Sequence, residues 1–239
     1  MSVNINEIKT SDRYEPQLTQ SQEEQKIQKL TNQIFIIMRH ADKGKGSDPS
    51  ITDKGKLRTK IAAEVIQGIA KERGKTEIQL IVSSIKRSQE TGAVVAEALK
   101  IVTAPHIEAR IRECNPSFLS KEEKKKHPQY QYYSHLKDEK EKFRCMPVPN
   151  VESGEMLFQR MQEGIHARLD TIQDPAILPV FVAHQTAMKS LFEGLTYTNQ
   201  LQGETSSTFL KSSHYCEIFV IERRGASFVA LERKPISST

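Results

Sequence analysis

The segment IFIIMRH, residues 34–40, decides how the chain is expected to fold. Its first residues are apolar without interruption, which is typical of a strand that is buried on both faces of a sheet. Two polar residues, Arg39 and His40, follow directly. Because ligands bind at the carboxyl ends of strands in open α/β sheets, the segment predicts both a central strand and a candidate site at its end.

Strand and helix patterns alternate on the carboxyl side of this segment. Residues 53–72 repeat apolar side chains at every fourth position from Leu57 to Ile69, which predicts a helix packed against the sheet. The alternation predicts a three-layer α/β/α sandwich with a mostly parallel central sheet and helices on both faces. The remaining predicted elements are strands at 78–82, 107–111, 178–183, 214–222 and 226–232, and helices at 86–99, 154–170 and 186–195.

Two polar stretches interrupt this pattern. Residues 1–32 carry no apolar stripe, and their composition predicts a flexible N-terminal arm. Residues 114–150 are charged, rich in proline and contain three tyrosines, Tyr130, Tyr132 and Tyr133. They are predicted to form a polar cap insertion over the sheet. The chain is thus divided into an arm, 1–32, and one domain, 33–239, that includes the cap.

Charge, cysteine content and apolar runs indicate which partners and which cellular compartment to expect. The 239 residues carry a net charge of +5 with acids and bases interspersed, which fits an anionic substrate but indicates no nucleic-acid stripe. Three cysteines without a CxxC pair favour a reducing compartment. The N-terminus lacks a signal-peptide core and no apolar run is long enough to span a bilayer, so we expect a soluble, cytoplasmic protein of undetermined oligomeric state. Export without a cleavable signal stays open.

Four segments, in this order, resemble the histidine phosphatase (phosphoglycerate mutase-like) superfamily. Arg39-His40 looks like its Arg-His-Gly signature, with Ala41 in place of the glycine. The segment PSITDKG, residues 49–55, is similar to its Leu-Thr-x-x-Gly turn, and SSIKRSQETG, residues 83–92, to its Ser-Ser-x-x-Arg-x-x-x-Thr-Ala segment. The segment FVAH, residues 181–184, resembles the strand that delivers its second histidine. The resemblance spans residues 34–195.

The resemblance implies phosphoryl transfer through a phosphohistidine on His40. A transferring phosphoryl group spreads negative charge over its oxygens, and planar, always charged guanidinium groups suit that charge. Arg39 and Arg87 are therefore expected to bind the phosphate, and His184 to donate a hydrogen bond to it. His40 must present an unprotonated nitrogen, which nearby arginines favour, while its other nitrogen is expected to donate to a backbone carbonyl.

A proton donor for the leaving oxygen is also needed. The resemblance points to Glu113, as in the short-insertion branch of the family, with Asp42 as the alternative. Ser84 could bond the phosphate or cap the next helix. The amide of Gln185, which follows the second histidine, could contact the phosphate or crowd the pocket. No metal-ligand spacing is present, and no cofactor is expected because the arginines and histidines supply the charge.

The activity expected first is hydrolysis of a phosphate monoester or phosphoamidate on a small molecule or a phosphoprotein. A mutase is the alternative enzyme, although the stretch KGKGS, residues 43–47, lacks the asparagine that mutases of the family often carry. A catalytically silent binding or scaffold protein is the non-enzymatic alternative. No nucleic-acid partner and no membrane span are expected.

Overall fold

The computed structural model describes residues 32–46, 48–114, 121–202 and 213–237. The predicted N-terminal arm lies outside these residues except for Asn32, which begins the first strand. The strands are β1 (Asn32–Arg39), β2 (Glu77–Val82), β3 (His106–Ile107), β4 (Ile177–Ala183), β5 (Leu201–Gln202), β6 (Ile218–Arg224) and β7 (Ser227–Lys234). The helices are α1 (Asp53–Glu72), α2 (Lys86–Leu99), α3 (Lys121–Lys126), α4 (Pro128–His135), α5 (Glu139–Arg144), α6 (Gly154–Thr171) and α7 (Gln185–Tyr197), and a 3-10 turn covers Ala109–Ile111.

The strands form one sheet in the order β3-β2-β4-β1-β6-β7-β5. Strand β4 lies between β1 and β2 and pairs in parallel with both, whereas β6 pairs antiparallel with β1 and β7. The fold class predicted from the sequence, an α/β/α sandwich with a mostly parallel sheet, is confirmed. Arg39 stands opposite Ala183 in the register of β1 and β4. The residues that follow these two strands, His40 and His184, therefore leave the sheet side by side.

Two hydrophobic clusters cover opposite faces of the sheet. Because successive side chains of a strand alternate between faces, Phe35 and Ile37 of β1 pack with α6 and α7. Ile36 and Met38 of the same strand pack with α1 and α2 on the other face. All four side chains are fully buried. The uninterrupted apolar run in β1 is thus explained by burial on both faces.

Two sequence expectations are corrected. Leu57, predicted to face the sheet, is 61% exposed, whereas Ala62 and Ile66 are fully buried. A step of four residues turns a helix by ~40° beyond a full circle, so a four-residue repeat rotates away from the packed face. The third strand, predicted over 107–111, ends at Ile107 because the buried carboxylate of Glu108 accepts the backbone N–H and the guanidinium of Arg110 and turns the chain into the 3-10 helix.

The cap predicted over 114–150 contains the helices α3, α4 and α5 among its described residues. Phe143 of α5 fixes it to the domain, with its ring 5.2 Å from that of Tyr197 in α7 and 6.4 Å from that of Phe158 in α6. The close approach requires a glycine at the start of α6, because a Cβ on Gly154 would lie 2.5 Å from the Phe143 ring. Within the described ranges, every helix falls short of the length and apolar character that a bilayer span needs.

Candidate active site

His40 lies at the carboxyl end of β1 and is 2% exposed. Its backbone N–H continues the ladder to the carbonyl of Ala183, which fixes the main chain beyond the strand. Its ring Nδ1 lies 2.8 Å from the carbonyl of Ala41, and a carbonyl can only accept, so Nδ1 carries the proton. Arg87 donates its Nε–H to the other ring nitrogen, Nε2, at 3.1 Å. The lone pair of Nε2 therefore faces the guanidinium.

The pKa of His40 is lowered to about 3, chiefly by burial. The charges of Arg87 and Arg39 contribute to this lowering, and the hydrogen bond to the Ala41 carbonyl acts in the opposite direction. The imidazole is consequently neutral at physiological pH. A neutral ring with one protonated nitrogen and one free lone pair is the form that can act as a nucleophile.

Residues of the SSIKRSQETG segment connect β2 to the first histidine. Arg87 is 7% exposed, and its Nη1 also lies 3.6 Å from a carboxylate oxygen of Asp48. The hydroxyl of Thr91 accepts the backbone N–H of Ala41 and donates to the carbonyl of Arg87. A Cβ on Gly92 would lie 2.4 Å from a Val82 methyl group, so the glycine is what allows α2 to approach β2 closely.

His184 follows β4 and is fully buried beside His40, with 5.1 Å between the ring centroids. Its Nε2 lies 2.6 Å from the hydroxyl of Ser83, and its Nδ1 has no partner among the described residues. The pKa of His184 is lowered to about 2, chiefly by burial and also by His40, Arg87 and Arg39. Both imidazoles are thus held neutral within reach of the same positive charges.

Arg39, the residue before His40, packs against Tyr215. Its guanidinium carbon is 4.0 Å from the centroid of the Tyr215 ring, and its Nη1 donates to the carbonyl of Ser213. The Tyr215 ring is itself 5.6 Å from that of His40. Burial lowers the pKa of Arg39, and the neighbouring Arg87 lowers it further.

Glu113 reaches the same region from the loop after the 3-10 turn. Its Oε1 accepts the backbone N–H of Ala187 at 3.2 Å, and its Oε2 accepts that of Thr186 at 3.3 Å. Both amides belong to the first turn of α7, which begins directly after His184. The loop and the helix thus bring Glu113 next to the second histidine. The alternative donor, Asp42, is held by Arg58 at 2.7 Å.

The structure differs from the sequence expectation at the paired serines. Ser83 contacts His184, whereas Ser84 is exposed and the backbone of Ile85 caps α2 without a side-chain hydrogen bond. Gln185 is partly buried at the start of α7. Sequence reasoning missed Tyr215, which it placed within a strand, and Asp48. Neither carries a local signal, since the contact of each depends on a residue distant in the sequence.

A cavity of about 430 Å³ opens next to Glu113 between the cap and α7. Cys114 and Thr186, which flank the carboxylate, line it together with Tyr133 of the cap. Tyr133 is half-buried, whereas Tyr132 is exposed and donates its hydroxyl to Glu141. Among the described residues, no group of three or more His, Cys, Asp or Glu side chains could hold a metal ion.

Comparison with known proteins agrees with this geometry. Residues 36–233 match the family model of the histidine phosphatase superfamily (branch 1). No curated protein matches the chain. The matched range begins in the central strand and includes both histidines, both arginines and the cap.

Solved structures of low sequence identity share the fold. A mycobacterial glucosyl-3-phosphoglycerate phosphatase with inorganic phosphate is 16% identical, with a TM-score of 0.60 over 86% of this chain and 98% of that one. A structure described as mycobacterial hydrolase 1 is 16% identical, with a TM-score of 0.59 over 87% of this chain and all of that one. A putative α-ribazole-5'-P phosphatase from Escherichia coli is 14% identical, with a TM-score of 0.55 over 86% and 96% of the two chains. At these identities the likeness shows the fold alone.

Proposed function

The chain belongs to the histidine phosphatase superfamily, branch 1, and from this premise we propose that it is a phosphatase in which His40 carries the phosphoryl group. The reaction is hydrolysis of a phosphate monoester or phosphoamidate. The observation that carries the proposal is the state of His40, a buried neutral imidazole whose Nδ1 is tied to the Ala41 carbonyl and whose Nε2 faces the Arg87 guanidinium.

In the first half-reaction, phosphate oxygens replace Nε2 of His40 as the acceptors of the Arg87 N–H groups. The freed lone pair attacks phosphorus, the N–P bond forms, and the bond to the leaving group breaks. Arg39, Arg87 and a ring N–H of His184 hold the phosphoryl oxygens, where the charge of the transition state is spread. In this proposal these side chains supply the charge, and no cofactor takes part.

Glu113 acts on the leaving group. As a carboxylic acid it donates its proton to the departing oxygen or nitrogen, which needs a donor within hydrogen-bond reach. In the second half-reaction the carboxylate takes a proton from water, the water oxygen bonds to phosphorus and the N–P bond breaks. Its contact with the first turn of α7, next to His184, supports this role over Asp42, which is engaged by Arg58.

Two further contacts with phosphate are part of the proposal. Gln185 follows His184 and begins α7, and its side-chain amide is proposed to contact the phosphate. Ser83, rather than Ser84, is proposed as the serine at the phosphate, because Ser84 is exposed and Ser83 contacts His184. In this proposal the leaving group extends into the cavity that Cys114 and Thr186, the neighbours of the Glu113 carboxylate, help to line. Its volume of about 430 Å³ suits a small phosphorylated molecule or a phosphorylated side chain.

Release of inorganic phosphate tests the proposal. A panel of phosphorylated sugars, sugar acids, phosphopeptides and aryl phosphates is offered to the wild type and to His40→Ala, with Ser84→Ala as an exposed control in the same region. We expect turnover by the wild type and the control, and a radiolabelled phosphoenzyme that is stable in base and labile in acid. Turnover and labelling that survive in His40→Ala would overturn the mechanism. Transfer of the label to a second substrate without phosphate release would indicate a mutase instead.

A further inference from the structure

Arg160 of α6 contacts the chain on both sides of the cap insertion. Its Nη1 donates to the backbone carbonyls of Arg110, at 2.5 Å, and Arg112, at 3.2 Å, directly before Glu113. Its Nε and Nη2 donate to the two carboxylate oxygens of Glu152, at 2.7 and 2.9 Å, directly before α6. One guanidinium therefore joins the chain that enters the cap to the chain that leaves it.

The sequence of α6 favours this close contact. Gly164 lies one turn after Arg160 on the same face of the helix. A Cβ on Gly164 would lie 2.8 Å from the Cβ of Arg110, so the glycine lets α6 approach the 3-10 turn. The side chains of Arg160 and Glu152 are only 16% and 12% exposed, which protects the pair from water and salt. The geometry is that of a fixed fork, which a lysine cannot reproduce.

Glu113 is held from two directions. The amides of Thr186 and Ala187 fix its carboxylate, and the Arg160 guanidinium fixes the main chain immediately before it. A general acid acts only within hydrogen-bond reach of the leaving atom, and a displacement of about 1 Å can cost ~100-fold in rate. Both restraints are therefore needed to define where the proton is delivered.

We propose that Arg160, paired with Glu152, is the positioning residue that sets the place of the proton donor Glu113 in the proposed phosphatase reaction. The inference rests on the proposed function. In this role Arg160 holds the loop that carries Glu113 and does not contact the substrate.

Leaving-group dependence separates positioning from simple stability. Phenols of low pKa leave without a proton, whereas phenols of high pKa need one. We measure kcat/KM, which reports the first half-reaction, for aryl phosphates whose phenols range from acidic to weakly acidic. For Glu113→Gln we expect a loss of about 100-fold or more on the poorest leaving group and little loss on the best. For Arg160→Met we expect about a 10- to 100-fold loss on the poorest and less than about 3-fold on the best.

Arg168→Met is the matched control. Arg168 lies on the same helix and donates to a carboxylate, that of Glu108, and to a carbonyl, that of Ile107, but these residues precede the 3-10 turn, whereas Glu113 follows it. Its removal is expected to change kcat/KM by the same factor for every member of the series. Thermal melting of each variant shows whether it is folded. Should Arg160→Met fail to fold, Arg160→Lys and Glu152→Gln are used instead. Both are expected to lower kcat/KM more for poor leaving groups than for good ones.

The outcomes are distinguishable. A loss of kcat/KM that is equal for all leaving groups in folded Arg160 variants would overturn the positioning role. Wild-type leaving-group dependence in Arg160→Lys would also overturn it, since charge without the fork would then suffice. In the Glu113→Gln background, Arg160→Met should cause little additional loss, and a full additional loss would also contradict the inference. No turnover by the wild type on any aryl phosphate or other phosphorylated compound would overturn the proposed function itself.

Discussion

At the scale of single residues, the two imidazoles are defined by their burial. His40 and His184 have pKa values lowered to about 3 and about 2 because burial disfavours the charged form. The unfolded chain presents them with a pKa of about 6.5. Between these limits the unfolded state binds protons that the folded state does not, so acid destabilises the fold through both residues.

This imbalance predicts how stability depends on pH. The free energy of unfolding should fall as the pH drops below about 6.5, with a slope that approaches ~1.4 kcal/mol per pH unit for each histidine. Urea unfolding at pH 7.5, 6.5 and 5.5 measures it, with His40→Asn as the variant that removes one titrating group. The variant should lose less stability than the wild type over this range. An identical pH dependence of the two would show that His40 is not buried as a neutral ring.

The neighbouring serines give a second prediction at this scale. Ser83 is buried and contacts His184 at 2.6 Å, so its hydroxyl orients the ring. Ser83→Ala leaves the buried Nε2 of His184 without its partner, which should lower the free energy of unfolding by about 1–3 kcal/mol. We expect a loss of about 10-fold or more in kcat/KM, whereas the exposed Ser84→Ala should stay within about 2-fold. Steady-state kinetics on one aryl phosphate checks both, and the reverse ranking would restore Ser84 as the phosphate ligand.

At the scale of elements, glycines decide how closely helices approach. A Cβ on Gly194 of α7 would lie 2.2 Å from the Phe158 ring of α6, whereas one on Gly68 of α1 would meet nothing within 4 Å. Gly194→Ala should therefore destabilise the fold by about 1–3 kcal/mol through overpacking. Gly68→Ala should stabilise it by about 0.5–1 kcal/mol through helix propensity. Urea midpoints of the two variants measure this, and equal shifts would contradict the packing of α6 on α7.

At the scale of the whole molecule, the two hydrophobic clusters share one sheet. Ile66 of α1 and Ile165 of α6 are both fully buried, in the clusters on opposite faces. Because β1 and β4 contribute side chains to both clusters, neither face can unfold while the other keeps its sheet. The domain is expected to unfold as one cooperative unit.

Native-state hydrogen exchange measures this coupling. Ile66→Val should lower the protection of the slowest amides in α6 and α7, across the sheet, by the same ~0.5–1.5 kcal/mol as in α1. Ile165→Val is the matched change on the opposite face and should lower protection in α1 equally. Loss of protection confined to the mutated face would show that the two layers unfold separately.

The sequence alone determined the elements whose signal is local. Helix α1 (Asp53–Glu72) and helix α2 (Lys86–Leu99) have the bounds predicted for them, because the signals that form a helix act within a few residues. The apolar run of β1 determined a central buried strand, and the fold class follows from the order of strands and helices. The resemblance of four short motifs pointed to the family, which the match over residues 36–233 shows.

Only the tertiary structure decided which side chains meet. The contacts of Tyr215 with Arg39, of Ser83 with His184 and of Arg160 with the loop before Glu113 join residues far apart in the chain. No local pattern encodes such contacts, because they depend on strand register, on how each helix is rotated and on how closely it packs. The exposure of Leu57 has the same origin, because it depends on how α1 is rotated against the sheet. Local sequence determines which element forms, and long-range packing determines which of its side chains reach the candidate active site.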